Sequence, residues 1–487
     1  MSILTSTETT REQLDIVMQR ADHAAAAALR ATEEERALWL EAVATALDSR
    51  SDDLVAIADA ETHLGSPRLP GELARTTAQL RLFAAVIREG SYLEATIDHA
   101  DPANTPPNGD MRRLLVPLGP VAVFAASNFP FAFSVAGGDT ASALAAGNPV
   151  VVKAHPGHPE TSTLTAEIVM AALVAAGAPD GLFALVSGHE AGIALVEHPL
   201  ITAVGFTGSV SGGRALFDRA VSRLVPIPFY GELGSLNPVV ITAAAAAARG
   251  AELAAGLAGS FTMGAGQFCT KPGLVFVPSG SDFAAALAPE IPTRRGAVLL
   301  TESIRASFPR GLAALSAEPG VSVVAGDPEQ GADGATAVAL RTDVATLLKR
   351  PDVLLEECFG PVTVLVEYAS EAELLATLAV VPGSLTATVH AEPEEPLGDL
   401  VDALRSKAGR LLFGGWPTGV AVTWSQQHGG PYPASTSVFT SVGATAIRRF
   451  LRPVTYQTAP AAVLPAALRD GNPLGIVRRV DGVLGVH

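Results

Sequence analysis

Cys269 lies in Gly-Ala-Gly-Gln-Phe-Cys-Thr, a glycine-containing stretch after an alanine-rich run, where a sulfur can be presented to a cleft. Free cysteine is among the most buried residue types, so an inert packing residue is one reading. The other is a nucleophile, which needs a partly exposed thiolate near positive charge. Glu232, in Phe-Tyr-Gly-Glu-Leu-Gly, is either a solvated loop acid or a general base for water, and Gly231 and Gly234 let backbone approach another group closely. Asn128, in Ala-Ala-Ser-Asn-Phe-Pro-Phe, is either a turn former or a donor to an oxyanion, with the backbone N–H of Cys269 as the second donor. One such donor contributes about 3 kcal/mol to an acyl-transfer transition state.

A second group of residues suits a nucleotide. The run Gly205-Phe-Thr-Gly-Ser209 precedes a helical pattern, so its amides and the helix N-terminus could hold a pyrophosphate, although the GxGxxG fingerprint is absent and a generic turn also fits. Lys153 ends Val-Val-Val-Lys and reads either as a solvated strand end or as a partner for ribose hydroxyls or a ribose phosphate. Glu357 and Phe359, in Glu-Glu-Cys-Phe-Gly-Pro, could hold a ribose and pack on a flat ring, or be a loop acid beside a core aromatic. Cys358 between them reads as a neutral packing residue.

These residues need elements to carry them. Ala24–Arg30, Glu33–Ser49 and Glu72–Ile87 have apolar residues at helical spacing with charges between them, which makes the stretch from about Thr7 to Gly90 a helical layer. From Leu118 the pattern becomes β-branched runs alternating with alanine-rich helices, the last strand of the series being Val225–Phe229, and this implies a parallel, doubly wound sheet. Ligands bind outside the carboxyl ends of such strands, which singles out Asn128, Lys153, Ser187, Thr207, Ser209 and Glu232 on topology alone. A second α/β region runs from about Asn237 to Phe439, with strands near Leu274–Val277, Pro361–Val366, Ser384–Val389 and Arg410–Phe413. The strand-like runs Tyr92–Ile97 and Arg112–Val116 flank a Pro/Asn-rich loop, a protruding hairpin that Ile447–Gln457 or a neighbouring subunit could pair with.

A net charge of −16 disfavours nucleic acid and anionic membrane, and points to a small-molecule partner. Two cysteines in 487 residues make no disulfide framework and suit a reducing cytoplasm. Met1 to Arg20 lacks the apolar core of a secretory signal, and Pro238 to Ser260 is broken by Arg249 and Glu252 and falls short of a membrane span. No metal is expected.

Taken in order, Asn-Phe-Pro, Lys153, Gly-Phe-Thr-Gly-Ser, Glu-Leu-Gly, Gly-Gln-x-Cys and Glu-Glu-x-Phe-Gly-Pro-Val resemble the aldehyde dehydrogenase superfamily over nearly the whole chain. The resemblance implies an α/β architecture: a Rossmann-type nucleotide-binding domain (1–97 and 118–236), an α/β catalytic domain (237–439), and a β-flap oligomerisation element with the tail (98–117 and 440–487). It implies that Cys269 is the nucleophile, Glu232 the general base and Asn128 the oxyanion donor, and that Lys153, Gly205, Ser209, Glu357 and Phe359 hold the cofactor. A homodimer or homotetramer is implied as well.

Two departures from the family pattern carry information. Ala154, His155 and Pro156 follow Lys153 where NAD-preferring members place a ribose-binding glutamate. A 2′-phosphate is then not repelled, and Lys153 with His155 or His158 could attract it, which favours NADP with NAD left open. Glu-Leu-Gly-Ser-Leu-Asn-Pro, Lys-Ala-His-Pro, His-Gly-Gly-Pro-Tyr-Pro-Ala-Ser-Thr and Ile-Arg-Arg-Phe-Leu-Arg-Pro-Val-Thr-Tyr-Gln resemble the 2,5-dioxovalerate (α-ketoglutarate semialdehyde) dehydrogenase branch. The alternatives are an NADP-linked dehydrogenase of medium- or long-chain aldehydes, a non-catalytic binding or structural protein on the same fold, and a cysteine hydrolase. The hydrolase lacks an evident histidine base near Cys269 in sequence. A cationic pocket for the substrate carboxylate is expected, with no arginine assigned to it.

Overall fold

The chain is described by a computed structural model covering residues 8–291, 298–330 and 334–486. Thr7, the expected start of the helical layer, lies outside these residues. The layer consists of helices Arg11–Ala28, Glu33–Ser49, Ser51–Thr62 and Arg68–Glu89. Its starts are written in capping boxes: Thr10 and Thr32 accept from the third helical N–H while Gln13 and Glu35 reach back to the cap. The run Ala24–Arg30 is therefore only the end of a longer helix, and Ser51–Thr62 is a helix that its weak periodicity concealed.

The first sheet is wholly parallel, in the order Phe183–Val186, Val150–Lys153, Val121–Phe124, Ala203–Thr207, Phe229–Glu232. Its last strand starts where the expected one, Val225–Phe229, ends. Pro226 and Pro228 have no N–H to give a ladder, so pairing begins at Phe229 and runs to Glu232, opposite Thr207. That shift sets Glu232 at the strand's carboxyl end. Val121, Val123, Val150 and Val152 are buried against Leu40, Leu80 and Phe83 of the helical layer.

The second sheet runs in the order Ser322–Ala325, Val338–Asp343, Val362–Tyr368, Leu274–Pro278, Val239–Ile241, Ser384–His390, Ala408–Phe413, with only the first strand antiparallel. Val240, Phe276 and Val364 pack on one face and Val239, Val275 and Leu365 on the other, the two-sided burial that makes such strands read as continuous apolar runs.

A third sheet joins Leu451–Gln457, Met111–Pro117, Thr96–Asp98, Arg478–Val480 and Val483–Gly485. The hairpin is present, closed by a bridge between Asp101 and Asn108, although its first strand is shorter than Tyr92–Ile97 because Ser91–Leu93 forms a 3-10 turn. Leu451–Gln457 pairs with Met111–Pro117 within the same chain. Among the described residues no helix is long and apolar enough to cross a membrane.

Candidate active site

A cavity of about 1530 Å³ opens at the carboxyl ends of the first sheet and is bounded on its far side by loops and the helix Glu302–Ser316 of the second α/β region. Asn128, Thr207, Ser209 and Glu232 line it, as the topology argument requires. Cys269, His155, Glu357 and Phe359 line it too. Ser187 does not; its N–H is bonded to Thr9 Oγ1.

The loop that presents Cys269 is built from left-handed backbone at Gly264, Ala265 and Gly266 (φ 56°, 58° and 67°). At Gly266 a Cβ would collide with the Gly360 carbonyl, so only glycine lets this turn dock on the Glu357–Gly360 segment. Gln267 fixes the turn from inside, donating to the carbonyls of Gly264 and Val298 and accepting from Leu300 N–H. Asn237, itself at φ 51°, donates to the carbonyl oxygens of Cys269 at 2.8 Å and Lys271 at 2.9 Å.

Asn128 is buried, and one of its two amide hydrogens is given to the Gln267 carbonyl at 3.0 Å. Its backbone is braced by the helix Arg68–Glu89. Arg68 donates to the Asn128 carbonyl and lies 4.8 and 4.7 Å from the ring centroids of Phe129 and Phe268, while Glu72 accepts from the N–H groups of Phe131 and Ala132 at 2.8 and 3.0 Å.

His428, which the sequence marks only as the first residue of His-Gly-Gly-Pro-Tyr-Pro-Ala-Ser-Thr, joins the centre as well. Its Nε2 lies 3.6 Å from Cys269 Sγ and 3.1 Å from Glu232 Oε1, although 159 residues separate it from the cysteine. No histidine stands near Cys269 in sequence, and it is the fold that brings one to the sulfur. Ser441 Oγ donates to Glu232 Oε2 at 2.7 Å, so the carboxylate is held at both oxygens. Burial pushes Glu232 up, but the charge and hydrogen bond of His428, with those from Ser441 and Cys269, outweigh it and leave the acid below its ordinary value. Cys269 moves the opposite way. The protein packed around its sulfur, then the Glu232 charge, push the thiol well above its ordinary value. At rest the centre therefore holds a protonated thiol beside an ionised carboxylate.

The remaining predicted residues divide. Ser209 caps the helix Val210–Ser222, accepting from Gly212 N–H at 3.2 Å, and the helix N-terminus faces the cavity. Glu357 is pushed up to about 7 by burial, against the pull of Lys271 and of the Ser235 N–H. A Cβ at Gly234 would stand 2.9 Å from Glu357 Oε2, which is the close approach anticipated there. Gly205 sits inside its strand instead, where a Cβ would come 2.7 Å from Asp139 Oδ2; it serves packing against the helix Gly138–Ala146. Lys153 is turned toward Gly192 and does not line the cavity. His155 is held neutral, its imidazole pushed down to about 3 by burial and by the charges of His158 and Lys153. His158 is fully buried and spent on the Ala126 carbonyl and Ser162 Oγ, so it cannot meet a phosphate. Cys358 is buried with its thiol raised to about 11 by burial, a packing residue.

A helix N-terminus for a pyrophosphate and a carboxylate for ribose hydroxyls, on one cavity, fit a dinucleotide. Residues 2–452 match the model of the aldehyde dehydrogenase family, and the chain belongs to that family of aldehyde-oxidising oxidoreductases. It is 47% identical over 457 residues to alpha-ketoglutaric semialdehyde dehydrogenase 2 of Azospirillum brasilense, covering 92% of this chain and 87% of the relative. It is 43% identical over 485 residues to alpha-ketoglutaric semialdehyde dehydrogenase of Acinetobacter baylyi, covering 98% and 92%. Among solved structures it superimposes on the Thermus 1-pyrroline-5-carboxylate dehydrogenase with bound NAD (TM-score 0.78, 20% identity, 92% and 86% covered). It also superimposes on the NADP-dependent glyceraldehyde-3-phosphate dehydrogenase of Bacillus halodurans complexed with NADP (TM-score 0.77, 22% identity, 92% of each chain covered).

Proposed function

We propose that this enzyme oxidises 2,5-dioxovalerate to 2-oxoglutarate through a thioester on Cys269, with NADP preferred over NAD. The reading rests on one observation above the others: Cys269 Sγ, His428 Nε2 and a Glu232 oxygen lie within 4.8 Å of one another, and Cys269 and Glu232 line the cavity that Ser209 and Glu357 also line. The relatives of more than 40% identity named for α-ketoglutaric semialdehyde supply the substrate.

Cys269 begins as a thiol, and as sulfur attacks the aldehyde carbon its proton passes through the Glu232–His428 pair to solvent, which leaves Glu232 ionised for the later step. The free Asn128 amide hydrogen and the Cys269 N–H receive the oxyanion. The nicotinamide, when bound, supplies the acceptor for the hydride that leaves the tetrahedral carbon. Glu232, anchored by Ser441, then takes a proton from the water that attacks the thioester, and the carboxylic acid departs as the thiol is restored. Ser209 and the amides behind it would hold the pyrophosphate, and Glu357 would accept from a ribose hydroxyl. The NADP preference rests on Ala154–Pro156 carrying no carboxylate and on Glu61, the nearby acid on the cavity wall, being committed to the Glu160 and Thr161 N–H groups. Gly205, Lys153 and His155 have supporting roles at most in the present geometry. A cysteine hydrolase would have no use for the Ser209 and Glu357 half of the cavity.

The three sheets correspond in this reading to nucleotide-binding, catalytic and flap units, and the flap joins copies of the chain. Its edge strand Val483–Gly485 is open on one side, with Val483 and Leu484 exposed, as an edge that pairs with a second subunit would be. Light scattering on the purified enzyme tests the oligomer. Initial rates of reduced-cofactor formation with 2,5-dioxovalerate, glutarate semialdehyde and a long-chain aldehyde, each with NAD and NADP, test the activity beside a Cys269→Ser control. Highest kcat/KM on 2,5-dioxovalerate, abolished in the control, supports the proposal. Preference for the long-chain aldehyde moves the enzyme to the fatty-aldehyde branch, and activity surviving in Cys269→Ser ends the thioester mechanism.

A further inference from the structure

The helix Arg68–Glu89 sends three charged side chains toward the active centre, Arg68, Glu72 and Arg75, spaced i, i+4 and i+7 on one face. Two of them are engaged, although Arg68 Nη1 and Glu72 Oε2 stay without a hydrogen-bond partner among the described residues. Arg68 holds the Asn128 carbonyl and is sandwiched between Phe129 and Phe268, and Glu72 holds the Phe131 and Ala132 amides. Arg75 is different. Both terminal nitrogens of its guanidinium are buried and meet no acceptor among the described residues, and its central carbon lies 5.4 Å from the Phe133 ring centroid. Phe133 in turn lies 6.2 Å from the imidazole of His428, the ring in contact with Cys269. Arg75 is near enough to Cys269 and Glu232 that both, after Glu72, draw its pKa upward against the downward push of burial.

The other cations around the nucleophile are already engaged. Lys271 donates to the carbonyls of Cys358 and Val362, and Arg410 gives its two terminal nitrogens to Gly419 and Pro417. A guanidinium kept out of water with both terminal nitrogens unpaired is costly unless an anion arrives, and its fork matches a carboxylate. Taking the substrate class from the reading above, we infer that Arg75 is the specificity-determining residue that binds the carboxylate of the semialdehyde while Cys269 attacks the other end. Phe129, Phe133 and Phe268 then form the apolar wall between the two ends.

The experiment compares kcat/KM for 2,5-dioxovalerate and for pentanal, an uncharged aldehyde of the same carbon number, in the intact enzyme and in Arg75→Gln and Arg75→Lys. A charge-assisted bidentate contact predicts that the ratio of the two values falls about 10- to 100-fold in Arg75→Gln, chiefly through KM, and recovers in part in Arg75→Lys. Equal loss on both aldehydes, or an unchanged ratio, overturns the inference. If the intact enzyme shows no preference for 2,5-dioxovalerate, the substrate reading itself has failed. Arg75 is then judged by inhibition of pentanal oxidation by 2-oxoglutarate: weaker inhibition in Arg75→Gln supports a carboxylate site, and unchanged inhibition refutes it.

Discussion

Asn237→Ala is expected to weaken the fold and to misplace Cys269 at the same time. The side chain is 1% exposed, so water does not take over its contacts. It donates to the Cys269 and Lys271 carbonyls at 2.8 and 2.9 Å and accepts from Ser235 Oγ at 2.7 Å and Thr386 N–H at 3.2 Å. Truncation leaves two carbonyls and an N–H buried without partners, at about 1–3 kcal/mol each. Partial relaxation brings the set to roughly 3–5 kcal/mol, a large share of the about 5–15 kcal/mol that holds a typical domain folded. Asn237→Gly loses the same bonds, but φ is 51° and glycine carries no Cβ there, so it should be about 1 kcal/mol more stable than the alanine variant. Guanidinium unfolding followed by tryptophan fluorescence gives the stability, and iodoacetamide alkylation of Cys269 under folding conditions gives the position of the sulfur. An alanine variant that unfolds within about 1 kcal/mol of the parent and alkylates at the parental rate would refute the assignment of Asn237 as the clamp of the catalytic loop.

Three further outcomes follow from the same geometry. Burial and the Glu232 anion keep the Cys269 thiol protonated, so Glu232→Gln should speed alkylation of the cofactor-free enzyme at pH 7 while lowering turnover about 100-fold or more; slower alkylation would contradict the electrostatic account. Glu357 has its pKa raised to about 7 by burial, so it is protonated below that pH and a carboxylate, the better hydroxyl acceptor, above it. Cofactor Kd should fall as pH rises from 6 to 8, and the slope should flatten in Glu357→Gln; linkage also requires that the stability associated with this group is complete below pH 4.5 and lost as pH rises through about 7. The donor atoms of Cys269, His428 and Glu232 all lie within 4.8 Å of one another, a set that suits a tetrahedral thiophilic cation. Added zinc should inhibit reversibly, with chelator restoring activity and His428→Asn needing at least about tenfold more zinc. Indifference of the activity to zinc would count against this spacing.

The sequence made much of the catalytic centre legible because strand ends in a doubly wound sheet are punctuated by polar residues. Asn128, Ser209 and Glu232 were found that way, and the structure sets all three on one cavity. What was hidden depends on long-range contact. His428 stands in a Gly- and Pro-rich motif that drew notice as a pattern, yet no local periodicity could bring it to a cysteine 159 residues away. Lys153 and Gly205 mark what position alone leaves open: Lys153 ends its strand with its stem packed beside Gly192, and Gly205 lies within its strand close to Asp139. The i, i+4, i+7 charges of Arg68, Glu72 and Arg75 were readable, but charges on an amphipathic helix are ordinarily solvated, and only burial distinguishes these. The strand Phe229–Glu232 was misplaced because β-branched Val225 and Ile227 outweighed the two prolines beside them.

The residues that meet at the sulfur come from widely separated places in the chain, Asn128, Glu232, Cys269, His428 and Ser441. A growing polypeptide that has already folded its nucleotide-binding sheet and made Cys269 has neither the imidazole nor the hydroxyl that steadies Glu232. Its thiol is an ordinary one until the last fifth of the sequence has been synthesised and docked. Turnover is thereby withheld from unfinished or C-terminally clipped chains, whose thiol still alkylates as any cysteine does, and the suppression of that alkylation together with the onset of turnover during refolding would report completion of the fold more stringently than the recovery of helix or sheet.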